Sequence, residues 1–287
     1  MNAEPRRVLV TGATGKIGRR VVSELTPHVQ VRALTRNAAS AGLPGVAEIT
    51  EGDLTDERAM QRALVDVDTV FLLWPLLSAE EAKPVVAAIA RHAKRVVYLS
   101  TAGAGDPADR ASNAISATHH AVEQSIEGSL AHWTMVRPTS FASNALLNWA
   151  GQTRSGDTVR WPFADARLSL IHDGDIAAVI ARALLDRALS GRRLLLTGPS
   201  AISQKAAISV VGRTINRPLA FEEITVEVAR EQMLGGGMPA AVVDGVLGYW
   251  ASRVLEPEPV TDTVADVIGT PARSFSEWVA ENADEFG

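Results

Sequence analysis

The run Val8-Leu9-Val10-Thr11-Gly12-Ala13-Thr14-Gly15-Lys16-Ile17-Gly18 constrains this chain more than any other stretch. A β-branched apolar segment stops at a glycine, and glycines at 12, 15 and 18 lead into a helical pattern from Arg19 to Leu25. Strand, tight turn and helix in that order aim unpaired backbone N–H groups and the positive end of a helix dipole at one point, which suits a phosphate. Glycine is required where backbone approaches phosphate and where the helix lies tight on the sheet. With the strand before it and the helix after it, the glycine spacing predicts a dinucleotide site formed by Thr11, Gly12, Thr14, Gly15, Lys16, Ile17 and Gly18.

The second strand, Val29 to Arg36, carries the selectivity. An NAD-selective site places a carboxylate about 20 residues past the turn to bind the ribose hydroxyls. Here no Asp or Glu occurs between Glu24 and Glu48, and Arg36 stands at the strand end, where a guanidinium suits a 2′-phosphate. The expected cofactor is therefore NADP(H) in preference to NAD(H). Lys16 and Arg32 are candidate helpers, although Arg32 reads equally well as a solvated strand residue. After a third strand over Val46 to Thr50, Asp53 and Leu54 stand where an adenine would be held. Helix capping by Asp53 and Thr55 is the equal alternative.

Further strands follow at Asp68 to Pro75, Arg95 to Thr101 and His132 to Pro138, with another at Arg193 to Thr197. The fourth is apolar throughout, as a central parallel strand covered on both faces would be. Ser78-Ala79-Glu80-Glu81 reads as a helix start, with Pro84 predicting a bend or a later beginning. Residues 102–111 read as a loop, and 112–127 as a helix. Ligands in open α/β sheets bind beyond the carboxyl ends of strands. Leu73, Trp74, Pro75, Ser100, Thr101, Pro138, Thr139, Ser140 and Phe141 thus join the candidate cofactor contacts. The fold class is a doubly wound parallel sheet with a smaller, mainly helical C-terminal lobe. The core spans residues 1–150 with parts of 165–200, and the substrate or partner lobe spans 151–164 and 200–287.

In 287 residues, 46% are hydrophobic and 21% charged, which supports a packed globular fold. A net charge of −5 without a basic cluster argues against nucleic acid as a direct ligand. Cysteine is absent, which removes thiolate chemistry and cysteine metal sites. No apolar run reaches the roughly 18 residues of a membrane span, and no leader is apparent, so a cytoplasmic location is expected.

Thr11 to Gly18, Arg36-Asn37, Gly52-Asp53-Leu54, Val97 to Ser100, His119 to Glu123, Thr134 to Pro138 with Asn144, Asp175-Ile176-Ala177, Leu196 to Pro199 and Phe275 to Val279 together resemble the NmrA-like atypical short-chain dehydrogenase/reductases, including NAD(P)H-binding quinone oxidoreductase-like proteins. The resemblance implies an NAD(P)H fold along nearly the whole chain. It also exposes a departure. Ordinary members of the wider superfamily use a Tyr with a Lys four residues later for proton transfer. Counting back from Glu123, those positions fall at Ile115 and His119. Tyr98 and Tyr249, the two tyrosines of the chain, have no Lys four residues on.

His119 is the candidate proton donor or ribose contact, because imidazole titrates near neutrality. Two exposed polar histidines on a helix are the plainer reading of His119 and His120. Thr101 is the second catalytic candidate, as a hydrogen-bond donor to a substrate carbonyl or simply as a strand-end residue. Glu123 reads as structural, while His172 and Asp173 either reach the crevice or cap a helix. Trp74, Phe141, Asn144, Trp149 and Trp161 could form an aromatic pocket or belong to the core. The leading expectation is a reductase of a small quinone-like or conjugated carbonyl substrate. Its alternative is an NADPH/NADP sensor acting on a regulatory protein partner, and the oligomeric state is left open.

Overall fold

The computed structural model describes residues 7–43 and 48–287; Val46 and Ala47, the expected start of the third strand, lie outside them. Two compact units make up the chain. The first comprises Met1–Gly105, Thr118–Arg137 and Gly174–Leu195, and the second Asp106–Ala117, Pro138–Asp173 and Leu196–Gly287. Residues 138–150 thus fall in the second unit.

The first unit is built on a seven-stranded sheet. Its strands are β1 (Arg7–Val10), β2 (Gln30–Thr35), β3 (Glu48–Glu51), β4 (Thr69–Leu73), β5 (Arg95–Leu99), β6 (Trp133–Pro138) and β7 (Arg192–Leu196), in the spatial order β3-β2-β1-β4-β5-β6-β7. Neighbours from β3 to β6 pair in parallel, with Val10 beside Ala33 on one side and Phe71 on the other. The order turns back on itself at β1, so the loop leaving β1 opens at the topological switch point where such sheets bind ligands. Helices α1 (Lys16–Leu25), α2 (Glu57–Ala63), α3 (Ala79–His92), α4 (Ala114–Ser129) and α5 (Asp173–Leu185) connect the strands. The buried side of α1 carries Ile17, Val21, Val22 and Leu25, the 3.6-residue spacing that the sequence showed.

Two local expectations are corrected. Helix α3 runs unbroken from Ala79 through Pro84, with Ser78 accepting a bond from the Glu81 N–H. Pro84 lies close enough to the helix start that its missing donor removes only one early internal bond. Residues 102–111 are largely helical: Ala102–Gly105 forms one 3₁₀ turn, and Pro107–Ser112 forms a short helix whose cap is Asp106. Proline at the first helical position after an aspartate cap is a strong start signal in itself.

The second unit holds helices Gln204–Thr214, Val226–Gly235, Ala240–Leu255 and Phe275–Glu281 around a core of its own. Two small ribbons, Thr158–Trp161 with Ala220–Glu223 and Arg167–Leu168 with Ile202–Ser203, supplement them. Tryptophans fill this core. Trp161 lies 5.4 Å from Trp250, Phe275 stacks on Trp278 at 5.8 Å, and Trp149 meets Phe275 edge-on. Trp149 and Trp161 are therefore packing residues, because indole rings that bury this much area dominate a core. Asp173, expected either at a crevice or at a cap, has both oxygens occupied by Ser143 Oγ and Trp278 Nε1, at 2.7 Å each. His172 faces Glu281 at 3.3 Å. These two residues fasten the C-terminal helix.

Candidate functional site

The glycine turn adopts the geometry its spacing predicts. Gly12 has φ +61°, and its carbonyl accepts from the Gly15 N–H at 3.0 Å. A β-carbon on Gly18 would stand 2.1 Å from that same carbonyl oxygen. The first turn of α1 has Gly15 at its cap with no side-chain acceptor, and no acidic residue occupies it. Its N–H groups are thus left for an external anion. Thr11 works inside the sheet: its Oγ1 donates to the Phe71 carbonyl and accepts from the Leu73 N–H, joining β1 to β4. Ile17 and Gly18 are buried under the turn, whereas Lys16 is exposed beside it.

Beyond the turn lies a cavity of about 390 Å³ within the first unit, in the range of small-molecule sites. Gly12, Thr14 and Gly15 form one wall, Arg36 stands at the end of β2, and Asp53, Leu54, Leu73 and Pro75 complete the lining. Leu34, Thr35, Thr55 and Leu76 also border it. Asp53 does not cap α2. That task belongs to Asp56, whose carboxylate accepts from the Arg58 N–H. Asp53 instead closes a small turn on Thr55, accepting from its N–H at 2.9 Å and its hydroxyl at 2.7 Å. These bonds, with some help from Arg36, hold its carboxyl below the usual carboxylate range.

Arg32, inside β2, and Arg36, just past its end, have opposite fates. Arg32 is neither a cofactor helper nor solvated. It is buried, donating to the carbonyls of Ala63 and Val65 and to the Glu48 carboxylate at 2.9 Å, so that it ties β2 to the end of α2 and to β3. Arg36 is exposed and has no hydrogen bond or ion pair among the described residues. Its loop is held at both ends. Glu51 accepts from the Ala38 N–H at 2.8 Å, and Arg19 donates to the carbonyls of Ala41 and Gly42. Sequence reasoning missed Arg19 and Glu51, since neither role shows before the loop is folded. Uncapped helix start, apolar leucine walls and an unpaired cation together fit an adenine dinucleotide.

The other candidates lie elsewhere. Trp74 is buried in the core, with Nε1 donating to the Ser78 carbonyl. Ser100, just past β5, is buried and its Oγ has no partner, while Thr101 beside it is half-buried. His119 is not an exposed polar residue: its Nδ1 lies 2.6 Å from the hydroxyl of the buried Tyr98. Burial lowers its pKa to about 4, against a smaller opposing effect of Glu123, so the premise that it titrates near neutrality is overturned. Burial and the nearby Glu123 raise the Tyr98 phenol, which stays protonated. Glu123 is structural, as expected, forming a two-armed ion pair with Arg137 at 2.9 and 2.5 Å.

In the second unit, Thr139 Oγ1 donates to backbone carbonyls, Ser140 Oγ donates to buried Glu258 at 2.7 Å, and Phe141 pairs through its backbone with Ile171. Pro138 is buried, whereas Asn144 is exposed. Among the described residues, no acidic or histidine cluster is placed to hold a metal, and no helix is long and apolar enough to cross a membrane.

A family model described as NAD(P)H-binding matches residues 12–187. Over 97% of this chain and 99% of its own length, a (4-alkanoyl-5-oxo-2,5-dihydrofuran-3-yl)methyl phosphate reductase from Streptomyces griseus is 34% identical. An NAD(P)H azoreductase from Xenophilus azovorans is 32% identical, with 98% and 99% covered. The NADPH complex of an NADPH-dependent quinone oxidoreductase from Escherichia coli shares the fold with a TM-score of 0.80 at 20% identity, over 96% of this chain and 99% of that one. With its glycine turn, switch-point cavity and sheet order, this chain belongs to the NAD(P)H-binding family.

Proposed function

We propose that the protein is an NADPH-dependent reductase of small conjugated acceptors, quinone-like or α,β-unsaturated carbonyl compounds, and that it prefers NADP(H) to NAD(H). The oxidoreductase class goes with the family. The observation that carries the cofactor preference is Arg36, an unpaired guanidinium on the cavity wall, in a chain with no carboxylate at the end of β2. A bound nicotinamide supplies a hydride, and acceptors already polarised by conjugation need little further help. That suits a chain with Ile115 and His119 where the superfamily keeps Tyr and Lys. With a pKa of about 4, His119 is neutral at pH 7 and serves as a hydrogen-bonding group; the proton comes from solvent. Thr101 and the unpartnered Ser100 hydroxyl are the remaining polar groups at the end of β5 for a ligand oxygen. Two relatives support the substrate class, one named for an oxo-dihydrofuran phosphate and one for azo compounds.

The test is steady-state oxidation of NADPH and NADH with a panel of benzoquinones, naphthoquinones, enones and azo dyes. Saturable turnover with at least one class, faster with NADPH, is the expected result. Rates at background across the whole panel overturn the reading.

A further inference from the structure

Tyr98 has no Lys four residues on, yet its hydroxyl is 2.6 Å from His119 Nδ1, with the two rings 5.6 Å apart and tilted by 40°. A phenol and an imidazole can share such a bond in two ways. Either the phenol donates to Nδ1, or Nδ1–H donates to the phenol oxygen and the phenol proton must find another acceptor. Tyr98 is fully buried and has no other hydrogen-bond partner among the described residues. The second arrangement therefore strands a buried O–H, which costs more than a typical bond gains. Only the first leaves every buried group satisfied, and it requires an unprotonated Nδ1. The one proton of the neutral ring then sits on Nε2. Nε2 has no partner from the described residues, and the His119 side chain is half-buried, not sealed from solvent.

We propose that Tyr98 is a positioning residue, which fixes His119 as the neutral tautomer presenting an Nε2–H donor to an oxygen acceptor of the bound dinucleotide or substrate. The inference rests on the reductase reading only for what that acceptor is. Ser100, two residues after Tyr98 and one past the end of β5, also carries a buried Oγ without a partner. A second polar group thus awaits a partner there. The charged and titratable groups around His119 are Tyr98 from β5, Glu123 and His120 from its own helix, and Arg137 from β6, which neutralises Glu123 through their ion pair. With Glu123 so engaged, the Tyr98 bond decides the tautomer.

Imidazole ¹⁵N spectra of the whole protein test this directly, with His119→Asn supplying the assignment. The expected result is one tautomer of His119, protonated at Nε2, favoured at least about tenfold and unchanged from pH 8 to pH 5. In Tyr98→Phe that preference falls severalfold. Protonation at Nδ1 in the wild type overturns the proposal, as does a tautomer average that Tyr98→Phe leaves unmoved. The wild-type spectrum decides even if the variant fails to fold. Adding NADP⁺ alone, then NADP⁺ with menadione, identifies the acceptor. A shift of the Nε2–H resonance at the first step assigns it to the dinucleotide, and a shift only at the second assigns it to the substrate. No shift at either step overturns the presentation of the donor. Because no step reads turnover, an inactive protein refutes the reductase reading and leaves this one standing.

Discussion

Gly18 sits against the carbonyl of Gly12 so closely that a β-carbon there would be 2.1 Å from the oxygen. Neither partner can yield, since both are backbone at the point where β1 meets α1. Gly18→Ala is therefore expected to displace the turn. We expect a stability loss of about 1–3 kcal/mol and NADPH binding weakened at least about tenfold. Thermal denaturation and calorimetric titration measure the two effects separately. A variant that binds NADPH as tightly as the wild type refutes the close approach.

Arg36→Ala removes the guanidinium without touching an internal bond. A lost charge-assisted contact is worth about 1.5–3 kcal/mol, so NADPH affinity should fall by roughly 10- to 100-fold. NADH affinity should stay within about twofold. If both cofactors weaken equally, Arg36 shapes the cavity and does not read the phosphate.

The Glu123–Arg137 pair predicts a different kind of loss. Glu123 is 1% exposed, and Arg137→Met would leave its charge buried alone. Breaking one side of such a pair costs about 3–5 kcal/mol, while replacing both sides with apolar groups is often close to neutral. Urea unfolding of Arg137→Met and of the double variant Glu123→Leu/Arg137→Met should show the double variant as the more stable. A single variant within about 1 kcal/mol of wild type removes the structural role assigned to the pair.

The depressed pKa of His119 makes a prediction about acid. In the unfolded chain this imidazole titrates near 6.5, and in the folded protein near 4. Between those values the unfolded state binds more protons, so stability rises with pH. The contribution is fully present above about pH 6.5 and declines as pH falls toward 4, by about 3 kcal/mol in all. Below pH 4 it adds no further slope. His119→Asn should flatten that part of the stability profile, measured by urea unfolding at several pH values. An unchanged slope in the variant assigns the acid sensitivity to other groups.

Much of the first unit was legible because its signals are local. Apolar runs, glycine spacing and helical periodicity are written within ten or fifteen residues, and the strands and the turn appeared where those patterns put them. The place of Arg36, exposed just past the end of β2 and on the cavity wall, could likewise be read from its position after an alternating strand pattern. Arg32 could not. A buried guanidinium is tolerable only because Ala63, Val65 and Glu48 converge on it, and these come from other elements. Tyr98 and His119 were hidden for the same reason: a strand and a helix 21 positions later supply the two halves of one bond. The indoles misled in the opposite direction. Large flat rings suit a flat ligand, but Trp149 packs on Phe275 and Trp161 on Trp250, and packing claimed them.

The contrast between Arg32 and Arg36 bears on how such a protein diversifies. Four positions apart, one inside β2 and one just past its end, the first is locked into the architecture by several acceptors while the second makes no hydrogen bond among the described residues. Substitutions at 32 must be matched by simultaneous changes in two neighbouring elements, whereas position 36 can vary by itself. Position 36 can therefore change side chain, and with it the charge at this edge of the cavity, without any hydrogen bond of the fold being lost.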